Sequence, residues 1–316
     1  MSAHDIRVVF MGSPAFAVPS LHALVREGYD VTLVVTQPDR PAGRGGRLQP
    51  PDVKVAATEL GLNVLQPETL KDELVRDVLA AVDADVFVVA AYGKILPRAI
   101  LDMPKRGCVN VHASLLPRWR GASPIDAAIL AGDAETGVSI MELVQKMDAG
   151  PVIAQVRTPI LATDTTGNLE ARLADLGAGL LVEVLPAWLA GSLIARPQDE
   201  SRVTTCTLIK KEDGFLRASM TAVEAERAIR AYDPWPGAYV VYHGERLGIW
   251  KAHVEPGPGS SPGTVSVLAK RPAVAFRDGL LVLHEVQRAG SKRLSGQDFL
   301  NGERGRLESS VELRND

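Results

Sequence analysis

The first 190 residues alternate short apolar runs with amphipathic segments, and this alternation is the strongest constraint on the fold. The runs IRVVFMG (6–12) and ADVFVVAAYG (84–93) are too apolar to have one face in water. Strands buried on both faces are typical of parallel sheets covered by helices. We therefore predict a Rossmann-like, mostly parallel α/β domain over residues 1–190, followed by a linker over 191–209 and a second domain over 210–316.

The second domain has a different pattern. Short segments such as AYVVYHG (238–244) and LLVLHEVQ (280–287) alternate apolar and polar residues, and glycine and proline turns separate them. Several such strands at short intervals favour a small β-barrel.

Composition excludes some classes of function. The net charge of −3 gives no overall attraction to nucleic acid, so an RNA contact would need local basic clusters. The two cysteines, Cys108 and Cys206, have no metal-ligand spacing and are few enough for a reducing compartment. No run approaches the roughly 18 apolar residues of a membrane span, and the N-terminus lacks the apolar region of a secretion signal. We expect a cytoplasmic protein without a bound metal.

One short strand presents unusual polar residues. In CVNVHA (108–113), alternate residues share a face, so Cys108, Asn110 and His112 point to one side. Asparagine is depleted in strands and gains nothing from burial without partners. An amide donor beside an imidazolium can stabilise an oxyanion, which suits transfer of an acyl group. In a parallel sheet this strand end would lie at the edge where active sites form.

Two alternatives exist for this strand. A single histidine near a strand end is commonly a structural residue, and Cys108 could instead act as a covalent nucleophile. Cys108 lies two residues further back, where we expect it to be buried and inert.

His112 would need a carboxylate to hold it charged and oriented. The candidates near loops are Asp85, Asp102, Asp126, Asp133 and Asp148. Asp148, in QKMDAGP (145–151), is the best because it lies on a turn before a strand. On that segment alone, an ordinary turn aspartate in an Asp-x-Gly signal is the better explanation.

The first strand ends at Gly12, where a dinucleotide fingerprint would begin. The sequence GSPAFA has one glycine where that fingerprint needs three, so we expect no nicotinamide or flavin cofactor. A tight turn or a ligand role would each explain Gly12. Ser13 is predicted to cap the following helix, with Pro14 in its first turn.

The segment TQPDRPAGRGGRLQPP (36–51) is long for a strand-to-helix connection. It carries Arg40, Arg44 and Arg47 against Asp39 alone, and its glycines allow it to adapt. A flexible arginine loop suits a phosphate backbone, although a merely solvated loop is the alternative. Lys210 with Lys211, and Lys292 with Arg293, are weaker basic clusters.

Five segments together resemble the methionyl-tRNA formyltransferase family. They are TQPDRPAGRG (36–45), AYGKILP (91–97), NVHASLLPRWRGASPI (110–125), GDAETGVSIMELVQKMDAGPV (132–152) and DPWPGA (233–238). The resemblance runs from Val8 to about Leu300. Asn-x-His, the SLLPRWRG loop and a downstream aspartate mark the wider folate-dependent formyltransferases, whereas the TQPDRPAGRG loop is specific to the tRNA enzymes.

The resemblance implies a Rossmann-like catalytic domain, an OB-fold-like C-terminal β-barrel, and transfer of formyl from 10-formyltetrahydrofolate to the amine of initiator methionyl-tRNA. The implied catalytic residues are Asn110, His112 and Asp148. The implied folate-contacting residues are Ser114, Leu115, Leu116 and Pro117. The implied tRNA contacts are the loop from Arg40 through Arg44 to Arg47, with Lys210 and Lys211 as further basic residues.

The sequence departs from the family pattern in two places. Ala113 stands where the family often has glycine, and KKEDGFLRAS (210–219) replaces a usual Ile-Asp-Trp run. A methyl group at position 113 is tolerable where the backbone keeps a negative φ.

Two other functions would use the same residues. One is an enzyme that formylates the amine of a nucleotide sugar or a ribonucleotide, which would not need the arginine loop. The other is an RNA-binding or regulatory protein on a formyltransferase scaffold. Nothing in the sequence indicates an obligate oligomer, so we expect a monomer.

Overall fold

The computed structural model describes residues 3–42, 46–257, 260–303 and 306–315. The chain folds into two compact units. The first unit is formed by Met1–Pro124, Glu135–Pro159 and Glu170–Cys206, and the second by Ile125–Ala134, Ile160–Leu169 and Thr207–Asp316. Among the described residues, no helix combines the length and the apolar character needed to cross a membrane.

The described part of the first 206 residues contains six α-helices and eleven strands. The helices are α1 (Val18–Arg26), α2 (Asp52–Glu59), α3 (Glu73–Ala81), α4 (Arg98–Leu101), α5 (Pro124–Ala131) and α6 (Thr166–Leu189). The strands are β1 (Arg7–Gly12), β2 (Asp30–Val35), β3 (Arg40–Ala42), β4 (Arg47–Gln49), β5 (Val64–Leu65), β6 (Val86–Ala90), β7 (Cys108–His112), β8 (Arg120–Gly121), β9 (Glu135–Glu142), β10 (Val152–Pro159) and β11 (Thr205–Cys206). Short 3-10 helices span Ala3–Asp5, Ala15–Ala17 and Glu200–Arg202.

Seven of these strands form one sheet in the order β10-β9-β7-β6-β1-β2-β5. Strand β1 pairs in parallel with β2 and β6, and β6 pairs in parallel with β7. On the far side of β7, the pairs β7–β9 and β9–β10 are antiparallel, so β9 alone runs opposite to the other strands of this sheet. The prediction of a Rossmann-like, mostly parallel sheet is confirmed, and β7 lies where its parallel part meets its antiparallel part.

Helices cover the sheet because its strands are apolar on both faces. A side chain added at Gly177 of α6 would meet the side chains of Val111 and Val138 within 3.2 Å, so α6 packs closely on that face. The buried cluster that contains Cys108 also includes Leu79 of α3 and Ile100 of α4. The helices cover the faces of the sheet, so polar side chains at the carboxyl edge of β7 are the ones that can contact a ligand.

Close packing explains Gly12. A Cβ there would lie 2.8 Å from the Cβ of Ala17 and 2.9 Å from the carbonyl oxygen of Ala90. The prediction that Ser13 caps the next helix is wrong. Ser13 Oγ instead accepts a hydrogen bond from the backbone N–H of Gln37 at 3.1 Å. The chain enters α1 through a 3-10 turn, and Pro14 makes no side-chain cap there.

The predicted flexible arginine loop contains regular structure. Arg40–Ala42 and Arg47–Gln49 pair as an antiparallel hairpin, which we call the arginine hairpin. The residues at its tip, including Arg44, lie outside the described residues. Arginine, proline and glycine alternate in this segment, so the sequence lacks the apolar–polar period that would predict two short strands.

The second unit is built on an antiparallel sheet in the order β12-β13-β16-β15-β14, with β17 paired to β16. Its elements are α7 (Ala222–Ala231), β12 (Ala238–Tyr242), β13 (Glu245–Glu255), β14 (Val265–Leu268), β15 (Arg271–Ala275), β16 (Leu280–Arg288), β17 (Leu294–Ser295) and α8 (Gly296–Gly302), with a 3-10 turn at Lys211–Gly214.

The C-terminal segment joins the two edges of this sheet. Glu312 pairs with Val241 of β12, and Ser310 pairs with Thr264, which directly precedes β14. These bridges occupy both edge strands, as in a barrel, where closure removes exposed edges. The prediction of a separate C-terminal β domain is therefore confirmed, and its sheet is antiparallel. The boundaries 1–190, 191–209 and 210–316 stay a prediction.

Candidate active site

Strand β7 carries Asn110 and His112 to the carboxyl edge of the sheet. Asn110 lies opposite Val89 of β6 and Met141 of β9 in the strand register. Only 8% of Asn110 and 6% of His112 are exposed. Their common face follows from the alternation of a strand, so two polar side chains lie together in an apolar setting.

The Asn110 side chain is buried with its hydrogen-bonding capacity unused. No hydrogen bond joins its amide to any other residue in the part of the chain that the structure describes. Its amide atoms are not among the fully buried polar atoms that lack a partner in the described residues, so they keep access to solvent. Asn110 is therefore available to a bound substrate.

His112 is oriented by a main-chain carbonyl. Its Nε2 lies 3.1 Å from the carbonyl oxygen of Trp119. A carbonyl only accepts, so Nε2 carries a proton and donates it. Nδ1 is the nitrogen left for the site, and it lies 3.9 Å from Oδ1 of Asp148. That separation is too long for a hydrogen bond, so the carboxylate faces the imidazole without bonding to it.

Asp148 lies in the turn between β9 and β10, as predicted. Its backbone has a φ of 48°, in the left-handed region that aspartate enters more readily than most residues. Its Oδ2 accepts a hydrogen bond from the backbone N–H of Gly121 at 2.8 Å. This bond directs Oδ1 toward His112, so the structure brings together all three predicted catalytic residues.

Gly121 can be only glycine in this backbone. Its φ is 125°, which residues with a Cβ rarely adopt, and a Cβ would lie 2.0 Å from the carbonyl oxygen of Cys206. The close approach lets β8 pair with β11 and points the Gly121 N–H at Asp148. Sequence analysis missed this residue, although a glycine after the bulky RWR run was the signal.

Cys108 is not placed for nucleophilic chemistry. Burial raises the pKa of its thiol to about 12, and the nearby Asp102 carboxylate adds to the effect. Its Sγ lies 3.6 Å from the carbonyl oxygen of Leu101, in the core beneath Asn110. The thiol therefore stays protonated at neutral pH, and the alternative of a cysteine nucleophile finds no support.

The predicted folate loop is held rigidly from below. Ser139 Oγ donates to the carbonyl of Ser114 at 2.6 Å and accepts from the N–H of Leu116 at 3.1 Å. Gln155 Nε2 donates to the carbonyl of Leu116 at 2.9 Å and to Ser139 Oγ at 2.8 Å. Ser114 and Leu116 are buried, whereas Leu115 and Pro117 are half-buried. Leu115 and Pro117 are therefore the two that can offer side-chain surface to a ligand.

Arg118, Trp119 and Arg120 follow the predicted folate loop, and the two arginines have different contacts. The guanidinium of Arg118 stacks over the Trp119 ring at 4.3 Å. Arg120 is buried and pairs with Glu200 at 2.7 Å, and this bond, followed by that from Lys146, lowers the pKa of the Glu200 carboxyl. Arg120 therefore fixes the loop rather than facing solvent.

The arginine hairpin is anchored at its base. Asp39 forms an ion pair with Lys54 at 2.8 Å and accepts from Gln66 at 2.7 Å, and these bonds lower the pKa of the Asp39 carboxyl. Arg40 and Arg47 are both exposed, and Arg40 reaches Glu68 at 3.1 Å. Asp39 thus serves the anchor, whereas Arg40 pairs with Glu68.

The remaining predicted basic residues belong to the second unit. Lys210 and Lys211 are exposed at the start of that unit, where the N–H of Lys210 donates to Asp213. Within the described ranges, no group of three or more His, Cys, Asp or Glu side chains could hold a metal ion.

Comparison with known proteins gives the same assignment along the chain. The family model described as formyl transferase matches residues 6–185, and that of the formyl transferase C-terminal domain matches 208–304. A methionyl-tRNA formyltransferase of Dechloromonas aromatica is 47% identical over 94% of this chain and 96% of its own length. One of Chloroflexus aurantiacus is 49% identical over 94% of this chain and 97% of its own.

A solved structure shares the fold at lower identity. The N-formyltransferase of Helicobacter canadensis, in complex with folinic acid and dTDP-3-aminofucose, has a TM-score of 0.68 and 17% identity, and the match covers 90% of this chain and 99% of that one. The two relatives of high identity are both methionyl-tRNA formyltransferases and match nearly the whole chain, so they decide the family. The chain therefore belongs to the methionyl-tRNA formyltransferase family.

Proposed function

We propose that this protein transfers the formyl group of 10-formyltetrahydrofolate to the amino group of initiator methionyl-tRNA. The observation that carries the proposal is the buried pair Asn110 and His112 at the carboxyl end of β7, with the Asp148 carboxylate 3.9 Å from the imidazole. The relatives that match the chain almost end to end support the choice of substrate.

Asn110 and His112 act on the formyl oxygen. The substrate amine attacks the formyl carbon, and negative charge develops on that oxygen as the new C–N bond forms. The carbonyl then re-forms and the bond to the donor nitrogen breaks. The unused amide N–H of Asn110 and the proton on Nδ1 of His112 donate to the oxygen. Donors fixed in a site that excludes water stabilise such charge without reorganisation.

Asp148 faces and aligns the histidine. Its Oδ1 faces Nδ1 of His112, and its Oδ2 is held by the Gly121 N–H. Asp148 also accepts the proton that the amine loses, through a water molecule, and this proton then passes to the donor nitrogen as that nitrogen leaves.

The loop from Ser114 to Pro117 borders the formyl donor. Ser139 and Gln155 brace this loop from beneath, and Leu115 and Pro117 keep partial exposure. A braced loop with apolar side chains fits a flat aromatic ring, because the ring stacks on a surface that does not need to reorder.

The arginine hairpin binds the phosphate backbone of the tRNA. The ion pair of Asp39 with Lys54 anchors the base of the hairpin, and Arg40 and Arg47 are exposed. We include Arg44 among the tRNA contacts because of its position in the sequence between them. Lys210 and Lys211 supply further positive charge. Backbone contacts of this kind give affinity that falls with salt.

The direct test is formylation by the purified protein with 10-formyltetrahydrofolate. Initiator methionyl-tRNA should be formylated, and elongator methionyl-tRNA should be a poor substrate. A nucleotide-linked amino sugar should show no product under the same conditions. Preferential formylation of the sugar would replace the proposed substrate, and no formylation of any amine would refute the enzymatic proposal.

Location and oligomeric state follow as proposals. Initiator tRNA is used in the cytoplasm, so we place the protein there. We propose a monomer, which light scattering after size exclusion checks against the mass of 33.8 kDa.

A further inference from the structure

Gln198 lies in the segment predicted as a linker, yet its side chain contacts the catalytic turn. Its Nε2 donates to the carbonyl oxygen of Asp148 at 2.8 Å and to that of Gly150 at 2.7 Å. Both amide hydrogens are therefore used on the turn that carries Asp148.

The other end of the Gln198 amide binds Arg120. Oε1 of Gln198 accepts from Nε of Arg120 at 3.0 Å, and the rest of that guanidinium pairs with Glu200. The amide cannot be flipped, because its oxygen would then face two carbonyl oxygens and its nitrogen would face a cation. The chemistry of its neighbours fixes the orientation.

These contacts close a ring around Asp148. The Asp148 carboxylate accepts from Gly121, Gly121 follows Arg120 in the chain, Arg120 donates to Gln198, and Gln198 donates back to the Asp148 carbonyl. Asp148 has a short side chain on a left-handed backbone, so its carboxylate follows any shift of the turn. The ring holds this turn against β8.

We infer that Gln198 is a positioning residue, which sets the place of the Asp148 carboxylate beside His112 by tying the 148–150 turn to Arg120. The inference rests on the proposed role of Asp148. Gln198 itself does not touch the reacting groups.

Two substitutions separate positioning from packing. Gln198→Glu keeps the size and the acceptor for Arg120 but removes both donors to the turn, whereas Gln198→Ala removes all three bonds. Positioning predicts that kcat falls about 10- to 100-fold in both variants, with KM for both substrates within about twofold of wild type. A packing role predicts that the glutamate variant keeps wild-type kcat, and that result would overturn the inference.

A matched control lies in the second unit. Gln287 also bridges two groups, since its Nε2 donates to the carbonyl of Ser291 at 2.7 Å and its Oε1 accepts from Trp250 at 2.9 Å. Gln287→Glu should leave kcat unchanged. Thermal unfolding of each variant shows whether a lost rate reflects lost structure.

A double-mutant cycle with Asp148→Asn tests the route of the effect. If Gln198 acts through the Asp148 carboxylate, Gln198→Glu should lower the rate less than about threefold in the Asp148→Asn background. An undiminished factor there would overturn the inference while leaving the role of Asp148 intact. A wild-type rate in Asp148→Asn alone would instead refute the proposed role of Asp148, so the two failures are distinguishable.

Discussion

The catalytic centre and the arginine hairpin belong to the same unit but are built in opposite ways. In the catalytic centre, Asn110 and His112 are buried and Asp148 is half-buried, and hydrogen bonds with the Trp119 carbonyl and the Gly121 N–H hold His112 and Asp148 in place. The arginine hairpin is anchored only at its base and exposes Arg40 and Arg47. Stabilising charge on one atom needs fixed donors, whereas attracting phosphates needs charge more than geometry.

The largest effects should follow from removing the chemistry. Asn110→Ala, His112→Ala and Asp148→Ala should each lower kcat by about 10²–10³ or more, because one oxyanion donor commonly contributes that factor. Binding of tRNA should stay within about twofold of wild type, since these residues lie apart from the phosphate contacts. Steady-state kinetics and a tRNA titration measure the two quantities separately. Near-normal turnover in any of these variants would remove that residue from the mechanism.

Gly121→Ala should disturb the fixed region next most strongly. The new Cβ would lie 2.0 Å from the Cys206 carbonyl oxygen, at a φ of 125°. We expect the N–H that holds Asp148 to shift, with kcat falling about 10- to 100-fold and a lower unfolding temperature.

Gly191→Ala is the matched control for this change. Gly191 also has a positive φ, of 73°, but a Cβ there meets nothing within 4 Å. It should lower the unfolding temperature slightly and leave kcat unchanged. Equal kinetic losses in both variants would mean that the contact at Gly121 does not position Asp148.

Changes in the arginine hairpin should have smaller and different effects. Arg40→Ala and Arg47→Ala should each weaken tRNA binding several-fold and reduce its salt slope by about 0.7–0.9, as expected for one lost phosphate contact. Affinity for the folate should not change. Fluorescence titrations at several salt concentrations measure this.

The control is Arg98→Ala. Arg98 is an exposed arginine in a surface ion pair with Asp102, comparable to the pair of Arg40 with Glu68. It should alter neither the affinity for tRNA nor the salt slope. If Arg98→Ala and Arg40→Ala had equal effects, general charge rather than the hairpin would attract the tRNA.

The two regions also differ in how far their sequences predicted them. The alternation in CVNVHA placed Asn110 and His112 on one face of a buried strand, because a strand has a fixed period. The turn residues around Asp148 indicated its position between two strands. The contacts that fix this site were not predictable, because Gln198 and Gly121 reach Asp148 across many residues of chain and leave no periodic pattern.

Local chemistry misled the sequence argument in two other places. Ser13 has the residue type of a helix cap, yet its hydroxyl serves Gln37 and the chain enters α1 without it. The glycines and prolines of residues 36–51 suggested a loop without regular structure, yet β3 and β4 pair there. For Ser13, a contact with a distant part of the chain outweighs local preference. The pairing of β3 with β4 is local, and its strands of three residues are too short to show a period.

The central claim is that formyl transfer depends on the catalytic centre around Asn110, whereas attraction of the tRNA depends on the arginine hairpin. Single-turnover formylation of initiator methionyl-tRNA, with both substrates saturating, tests it directly on Asn110→Ala and Arg47→Ala. The account predicts a rate about 10²-fold below wild type for Asn110→Ala and a wild-type rate for Arg47→Ala once tRNA is saturating. A wild-type rate for Asn110→Ala, or a deficit in Arg47→Ala that persists at saturating tRNA, would contradict it.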